Sequence, residues 1–584
     1  MRRIIIAAIL LAASLMYGQP QPAAKAAAAL TQLNALKDAF WEFSLREAPE
    51  LATSLGDYRY NSLLSDHSLA HVQKIKHEYE QMLQKVQAVD AGGLSPEDQL
   101  DKQLLLYTLN QRLEGIRLKV YEMPINQMFG AHLRYPQLAS TAPFDSVKHY
   151  DDYIARLHGV PSRLDQLIEV SRQGVKDGLV PPRFLLEESA TQCQKLADAA
   201  GEASPFASPL KKMPPSFSAA DRKRITDDLL KAVDTEVRPA YARLQKFISE
   251  EYAPKGRTQP GIWALPNGDA LYRFYVKSST TTDMTPEQIH ELGLAQVKQI
   301  EGEIAELAKK AGYPDAASFQ KAIHADPKYK ATSREQILDD FRHYITEMQP
   351  KLPQLFGILP KANLIVTSVP EFMEKQSSTQ YIRGTPDGSR PGQVWVRTYD
   401  PTHYDMLEDE ATAYHEGIPG HHMQISIAQE LQGVHPFHRL INSTAYTEGW
   451  ALYAERLGKE VGFYQDPGSD LGRLESELFR AIRLVVDTGV HYKHWTREQM
   501  VDYFQQHYST VPQAEIDRYI AIPGQALGYK IGQLKILELR ARAQQKLGKN
   551  FDVRKFHDEV LDAGILPLTI LEQRVDTWIA TQQK

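Results

Sequence analysis

The sequence predicts a mainly α-helical protein, a large helical body in two lobes with one small antiparallel β-sheet. Three observations predict it. Apolar residues recur at helical spacing behind N-cap signals through most of the 584 residues. Strand signals are confined to two short runs. One Pro/Gly-rich stretch, residues 251–268, breaks the helical pattern and divides an N-terminal lobe, residues 19–255, from a C-terminal lobe, residues 256–584.

In chain order, the first element is an address rather than part of the fold. Arg2 and Arg3 precede an apolar run from Ile4 to Met16. A membrane-spanning helix needs about 20 residues, so this run is short for spanning and fits a secretory signal peptide, residues 1–18. No cysteine follows it for lipid attachment. The expected location is the bacterial envelope, periplasmic or secreted, with no stable membrane insertion after cleavage. Cys193 is the single cysteine, which excludes an internal disulfide and every thiolate metal cage. Hydrophobic residues at 42% suffice for a core, and a formal charge of −6 argues against a nucleic-acid partner.

Ser95-Pro96-Glu97 reads as an N-cap, a proline in the first turn and an acid beside it, opening a helix with Leu100, Leu104, Leu109 and Leu113 near helical spacing. Helical patterns follow at 145–175 and 219–249. Thr285 and Gln288 form a capping box ahead of a helix to about Lys310, and Thr496 with Gln499 repeats it. Further helices are expected at 333–348 and 471–488. Leu364–Thr367 and Val394–Arg397 are the two strand-like runs; a turn-rich connection, 376–393, lies between them, and an antiparallel pairing is expected.

The densest chemistry is Tyr414-His415-Glu416-Gly417-Ile418-Pro419-Gly420-His421-His422, with Thr447-Glu448-Gly449-Trp450 downstream. In the zinc motif H-E-x-x-H two histidines four apart share a helical face, and the glutamate serves as general base. Here Pro419 occupies the position of the second histidine, so the simple motif is absent. On an unbroken helix His415 and His422 would share a face but lie about 10.5 Å apart along the axis. Ligands of one zinc sit about 2.0–2.1 Å from it, so a straight helix fails. Pro419-Gly420 supplies a break. Extruding three residues returns His422 to an effective spacing of four, and extruding two does the same for His421. Both remain open, with the inclination towards His422.

The run from His415 to Gln424, with Thr447 to Glu455, resembles the bacterial domain-of-unknown-function family 885, which is similar to zinc peptidases of the gluzincin type. The resemblance also takes in Gly56-Asp57-Tyr58, Gly261-Ile262-Trp263, Val486 to His491 and Ile522 to Lys530. It implies a metallopeptidase-like body whose C-terminal lobe is catalytic. His415 would be the first metal ligand, His422 or His421 the second, and Glu448 the third. Glu416 would be the general base. The implied cofactor is zinc, although ligand type alone allows other divalent metals. Related peptidases often place an acid four residues after the glutamate ligand to orient a histidine. That position is Leu452 here, leaving Glu408, Glu410 and Glu455 as candidates.

Amide hydrolysis also needs a donor to the developing oxyanion, for which Tyr529 and then His491 are the candidates. Arg483, Arg518 and Lys530 are candidates to hold a substrate carboxylate, and the strand around Val394–Arg397 offers an edge for an extended peptide. Tyr446, Trp450 and Tyr453 are expected to pack the core. The resulting expectation is an exported, metal-dependent hydrolase of amide bonds in short peptides. Two rivals use the same residues: a metal-dependent hydrolase of non-peptide amides or esters, and a catalytically silent helical binding protein. Activity on peptides versus acylated amines separates the first, and stoichiometric metal the second.

Overall fold

The structure is a computed structural model describing residues 22–370, 374, 378–385, 388 and 390–583. The signal peptide expected at 1–18 lies outside the described residues. Helices dominate. Among them are α1 (Pro22–Glu47), α2 (Pro96–Arg117), α3 (Val147–Asp177), α4 (Pro286–Lys310) and α5 (Arg334–Met348). α2 and α4 start where their caps predict. Ser95 accepts from Asp98 N at 3.1 Å, and Thr285 and Gln288 bond reciprocally at 3.2 and 2.9 Å. The continuous helix expected over 219–249 is instead two segments, Ala219–Ala232 and Arg238–Phe247, joined by a π-helical turn at Val233–Val237. Pro239 has no N–H to give the preceding turn, and the wider turn makes room for its ring.

The sheet has three strands, β1 (Leu364–Ser368), β2 (Gln380–Ile382) and β3 (Gly392–Val396), in the order β1-β3-β2. It is mixed rather than antiparallel. β1 pairs with β3 in parallel, Leu364 opposite Gly392 and Ser368 opposite Val396, while β2 runs antiparallel to β3. The connection between β1 and β3 is long enough for a crossover, which parallel pairing requires. It also contains β2, whose three residues are too few to show a sequence period. Both sides of β3 are therefore paired, so it offers no edge for an extended peptide, and the outer strands β1 and β2 form the two edges.

The second half continues with α6 (Asp409–Glu416), α7 (His421–Glu430), α8 (Thr444–Glu460), α9 (Pro467–His491) and α10 (Gly528–Leu547). α8 and α10 pack with backbones almost touching. A Cβ on Gly449 would lie 2.4 Å from Gly532 Cα, so this contact requires glycine. Tyr446, Trp450 and Tyr453 of α8 are buried, as expected. The apolar clusters only partly follow the 251–268 break. Leu64 and residues between Ile125 and Ala253 form one cluster. Leu33 and Phe40 of α1 and Leu104 and Leu109 of α2 instead share a cluster with Trp450, Leu484 and Leu571. No helix among the described residues is long and apolar enough to cross a membrane.

Candidate metal centre and its cleft

α6 ends at Glu416 and α7 begins at His421. Gly417, Ile418, Pro419 and Gly420 leave the helix between them. Gly420 folds back against the end of α6, where a Cβ would fall 2.0 Å from the carbonyl oxygen of His415 and 2.3 Å from that of Tyr414. Only glycine tolerates that approach. Trp450 Nε1 donates to Pro419 O at 2.9 Å and ties the loop to α8. The loop thus brings His421 against His415, with ring centroids 4.9 Å apart and planes at 88°. Gly420→Ala is expected to lower stability by about 2–3 kcal/mol, measured by denaturant unfolding, because the clash is with backbone that cannot rotate away.

Glu448 reaches the pair from the first turns of α8. Its Oε2 lies 3.5 Å from His415 Nε2 and 3.4 Å from His421 Nε2, and one ligand atom from each of the three residues lies within 4.8 Å of the others. Donors about 2.0–2.1 Å from one tetrahedral ion are themselves about 3.4 Å apart, so this spacing fits a single cation. The other nitrogen of His415, Nδ1, is 2.7 Å from Glu455 Oε1, and Glu455 Oε2 accepts from Ser476 Oγ at 3.0 Å. That contact turns Nε2 towards the cluster. Of the three acids considered for this role, Glu455 makes the contact. Glu408 accepts from Tyr508, and Glu410 from Tyr414, each pair bonded through the tyrosine hydroxyl.

The charges of the cluster favour a cation. Burial opposes an imidazolium at His415, but Glu448 and Glu455 overcome it and push its pKa up to about 9. Burial would raise Glu448, yet the two histidines hold it far below the ordinary carboxylate range. A metal ion and protons would compete for these atoms.

A cavity of about 840 Å³ opens beside the cluster and is lined by His415, Glu416, His421 and Glu448. Glu416 Oε2 accepts from the backbone N–H of Tyr381 in β2 at 2.8 Å. Tyr529, Arg483 and Arg518 line the same cavity. The guanidinium of Arg483 sits 4.7 Å from the centroid of the Tyr529 ring.

Three sequence candidates lie elsewhere. His422 faces away from Glu448, with Nδ1 3.1 Å from Tyr381 Oη and Nε2 3.1 Å from Ala362 O. Burial pushes its pKa down to about 4. In the neutral ring Nε2–H donates to the carbonyl and Nδ1 accepts from the hydroxyl. The inclination to His422 fails because α7 is a new helix, and one residue along it turns the side chain by about 100°. His491 is buried away from the cavity, its Nδ1 accepting from Ile262 N at 3.1 Å and its Nε2 donating to Tyr519 O at 2.9 Å. Burial lowers its pKa to about 3. Lys530 is buried in an ion pair with Glu477 at 2.6 Å and donates to Gln533 Oε1 at 2.8 Å, which removes it from substrate contact. Tyr529 and Lys530 are consecutive on α10 and so point in different directions.

The cavity also contains groups the sequence reading missed. Tyr381 comes from the unrecognised strand. Arg480 precedes Arg483 on α9. His324 lies 3.3 Å from Asp405 and 3.0 Å from Glu475, and those contacts push its pKa up to about 10 against the effect of burial. Glu475, Phe479 and Arg483 recur every four residues, and that spacing was the available signal for α9.

The family model for bacterial proteins of unknown function called DUF885 matches residues 49–575. No curated protein matches the chain. A crystal structure from Colwellia psychrerythraea, described as a "putative lipoprotein", is 30% identical with a TM-score of 0.88, covering 95% of this chain and 100% of that one. A second, from Shewanella oneidensis and described likewise with unknown function, is 20% identical with a TM-score of 0.72, covering 95% and 99%; it supports the fold alone. The M32 carboxypeptidase of Deinococcus radiodurans is 13% identical with a TM-score of 0.30, covering 87% of this chain and 99% of that one, too remote to carry any argument. With nearly the whole of its described length matched, the chain belongs to the DUF885 family of bacterial proteins of unknown function.

Proposed function

We propose that this protein is an exported metal-dependent hydrolase, with zinc as its cation, that cleaves amide bonds in short peptides. The observation that carries the reading is the spacing of the His415, His421 and Glu448 donor atoms, beside a cavity into which Glu416 also opens. Those three residues would hold the ion. A divalent cation there supplies Lewis-acid polarisation of water and of the substrate carbonyl. Glu416, held by the Tyr381 N–H, takes the proton of the attacking water and delivers it to the departing amine. Tyr529, on the cavity wall, is the candidate donor to the oxyanion. A cavity of about 840 Å³ suits a peptide of a few residues better than a folded chain. Export is supported by the Arg2–Met16 run and by the lipoprotein description of the Colwellia psychrerythraea relative.

Two measurements test this. Elemental analysis of protein purified without added metal or chelator is expected to give about one transition metal ion per chain, as a preformed three-ligand site requires. A peptide library is expected to be cleaved in preference to acylated amines and simple esters. Metal well below stoichiometry, or turnover of the small amides and esters alone, would overturn the reading.

A further inference from the structure

The cavity beside the His–His–Glu cluster has a second wall of opposite charge. Arg480 and Arg483 of α9 and Arg518 all line it. Glu515 pairs with both Arg483 and Arg518 at 3.0 Å. Arg480 forms no ion pair among the described residues; its Nη1 donates to Ser476 O at 3.0 Å and to Ser476 Oγ at 2.6 Å. Two other acids on that side hold hydrogen-bond partners of their own. Glu475 accepts from Gln320 and contacts His324, at 2.9 and 3.0 Å, while Glu408 accepts from Tyr508 at 3.0 Å. Three guanidinium groups thus have one ion-paired carboxylate, Glu515, which is shared by two of them, while the third, Arg480, lies within electrostatic reach of Glu408.

Two N–H groups in this wall are also buried without an acceptor, Arg483 Nη1 and Arg480 Nε. Arg483 is only 6% exposed, with its guanidinium 4.5 Å from the Phe479 ring centroid and 4.7 Å from that of Tyr529. Unpaired charged donors in such surroundings are costly. An anion entering from the cavity would relieve that cost.

The position of the wall identifies the anion. Ser476 Oγ donates to Glu455, the residue that orients His415, and Arg480 donates to Ser476. Arg480 therefore stands two hydrogen bonds, through Ser476, from the residue that orients His415. Arg483 is three residues further along α9, about 4.5 Å in rise. An extended peptide advances about 3.3–3.6 Å per residue, so its terminus can meet this wall within a few residues of a bond held at the cluster. We propose that Arg480, Arg483 and Arg518 receive the C-terminal carboxylate of a short peptide, which makes the protein an exopeptidase acting from the C-terminal end. This assignment rests on the hydrolase reading above.

The test separates the two claims. Calorimetry on the whole metal-loaded chain carrying Glu416→Gln measures binding without turnover. The probes are N-acetyl-tetraalanine as the free acid, the same peptide as its C-terminal amide, and N-acetyl-Ala-Ala-Glu-Ala amide, which offers a side-chain carboxylate instead. The free acid is expected to bind about tenfold or more tightly than either amide, and Arg480→Gln or Arg483→Gln to erase the difference. Arg483 is buried and its variant tests folding as well; Arg480 is only half-buried, so its variant keeps the experiment decisive. Wild-type protein is expected to release fragments only from the C-terminal end of free-acid peptides, read by mass spectrometry. Equal binding of acid and amide, no binding of any probe, tight binding of the internal glutamate peptide, or an unchanged preference in both arginine variants overturns the proposal. Acid preference without cleavage of any peptide would leave the carboxylate site standing and remove the hydrolase reading. Cleavage without acid preference would do the reverse.

Discussion

Glu416→Gln is expected to lower kcat on a cleaved peptide by roughly 10²–10⁴-fold, the usual contribution of a general base or acid, while metal content stays at about one ion per chain. The glutamate follows His415 directly, yet it belongs to a different contact. Its Oε2 accepts from Tyr381 N at 2.8 Å, and it is absent from the group of residues whose donor atoms converge. A glutamine oxygen can accept the same hydrogen bond, so the fold and the cleft should be retained. What it cannot do is take a proton from water at neutral pH. Steady-state kinetics with elemental analysis on the same preparation checks this. Undiminished kcat would remove Glu416 from the chemistry, and a loss of metal would move it into the ligand set.

The paired substitution His421→Ala and His422→Gln is expected to split cleanly. His421→Ala removes one of three converging donors, and metal affinity should fall by more than the roughly 10–100-fold that follows loss of an outer hydrogen-bond partner. Activity should disappear with the metal. His422→Gln should retain the metal, because its ring contacts Tyr381 and Ala362 rather than Glu448. An amide can still donate to the Ala362 carbonyl. Competition titration against a chelator of known affinity distinguishes the two. A reversed result would show that the loop places His422, not His421, beside His415.

Much of the helical architecture was legible in the sequence because helices announce their ends locally. Ser95, Thr285 and Thr496 each cap the helix their spacing predicts. The sheet was less legible, since a three-residue strand has no period and the direction of pairing depends on a connection whose path is not local. Within the site, the importance of His415, Glu416 and Glu448 could be seen from residue type and spacing. The choice between His421 and His422 could not, because the Gly417–Gly420 loop replaces helical arithmetic with a backbone path. His491 and Lys530 looked chemical by type, but each spends its polar atoms on buried partners.

The sequence alone thus determined the helical class, the exclusion of an internal disulfide or thiolate metal cage, and the histidine–glutamate composition of the candidate metal centre. Those follow from composition and short-range spacing. The tertiary structure decided which histidine meets His415, that Glu455 orients it, that β2 presents an N–H to Glu416, and that arginines of α9 and Arg518 share the cleft. The physical reason is that those contacts join residues distant in sequence, brought together by close backbone packing at Gly420 and between Gly449 and Gly532. No local pattern encodes the distance between two side chains whose separation is set by how helices pack.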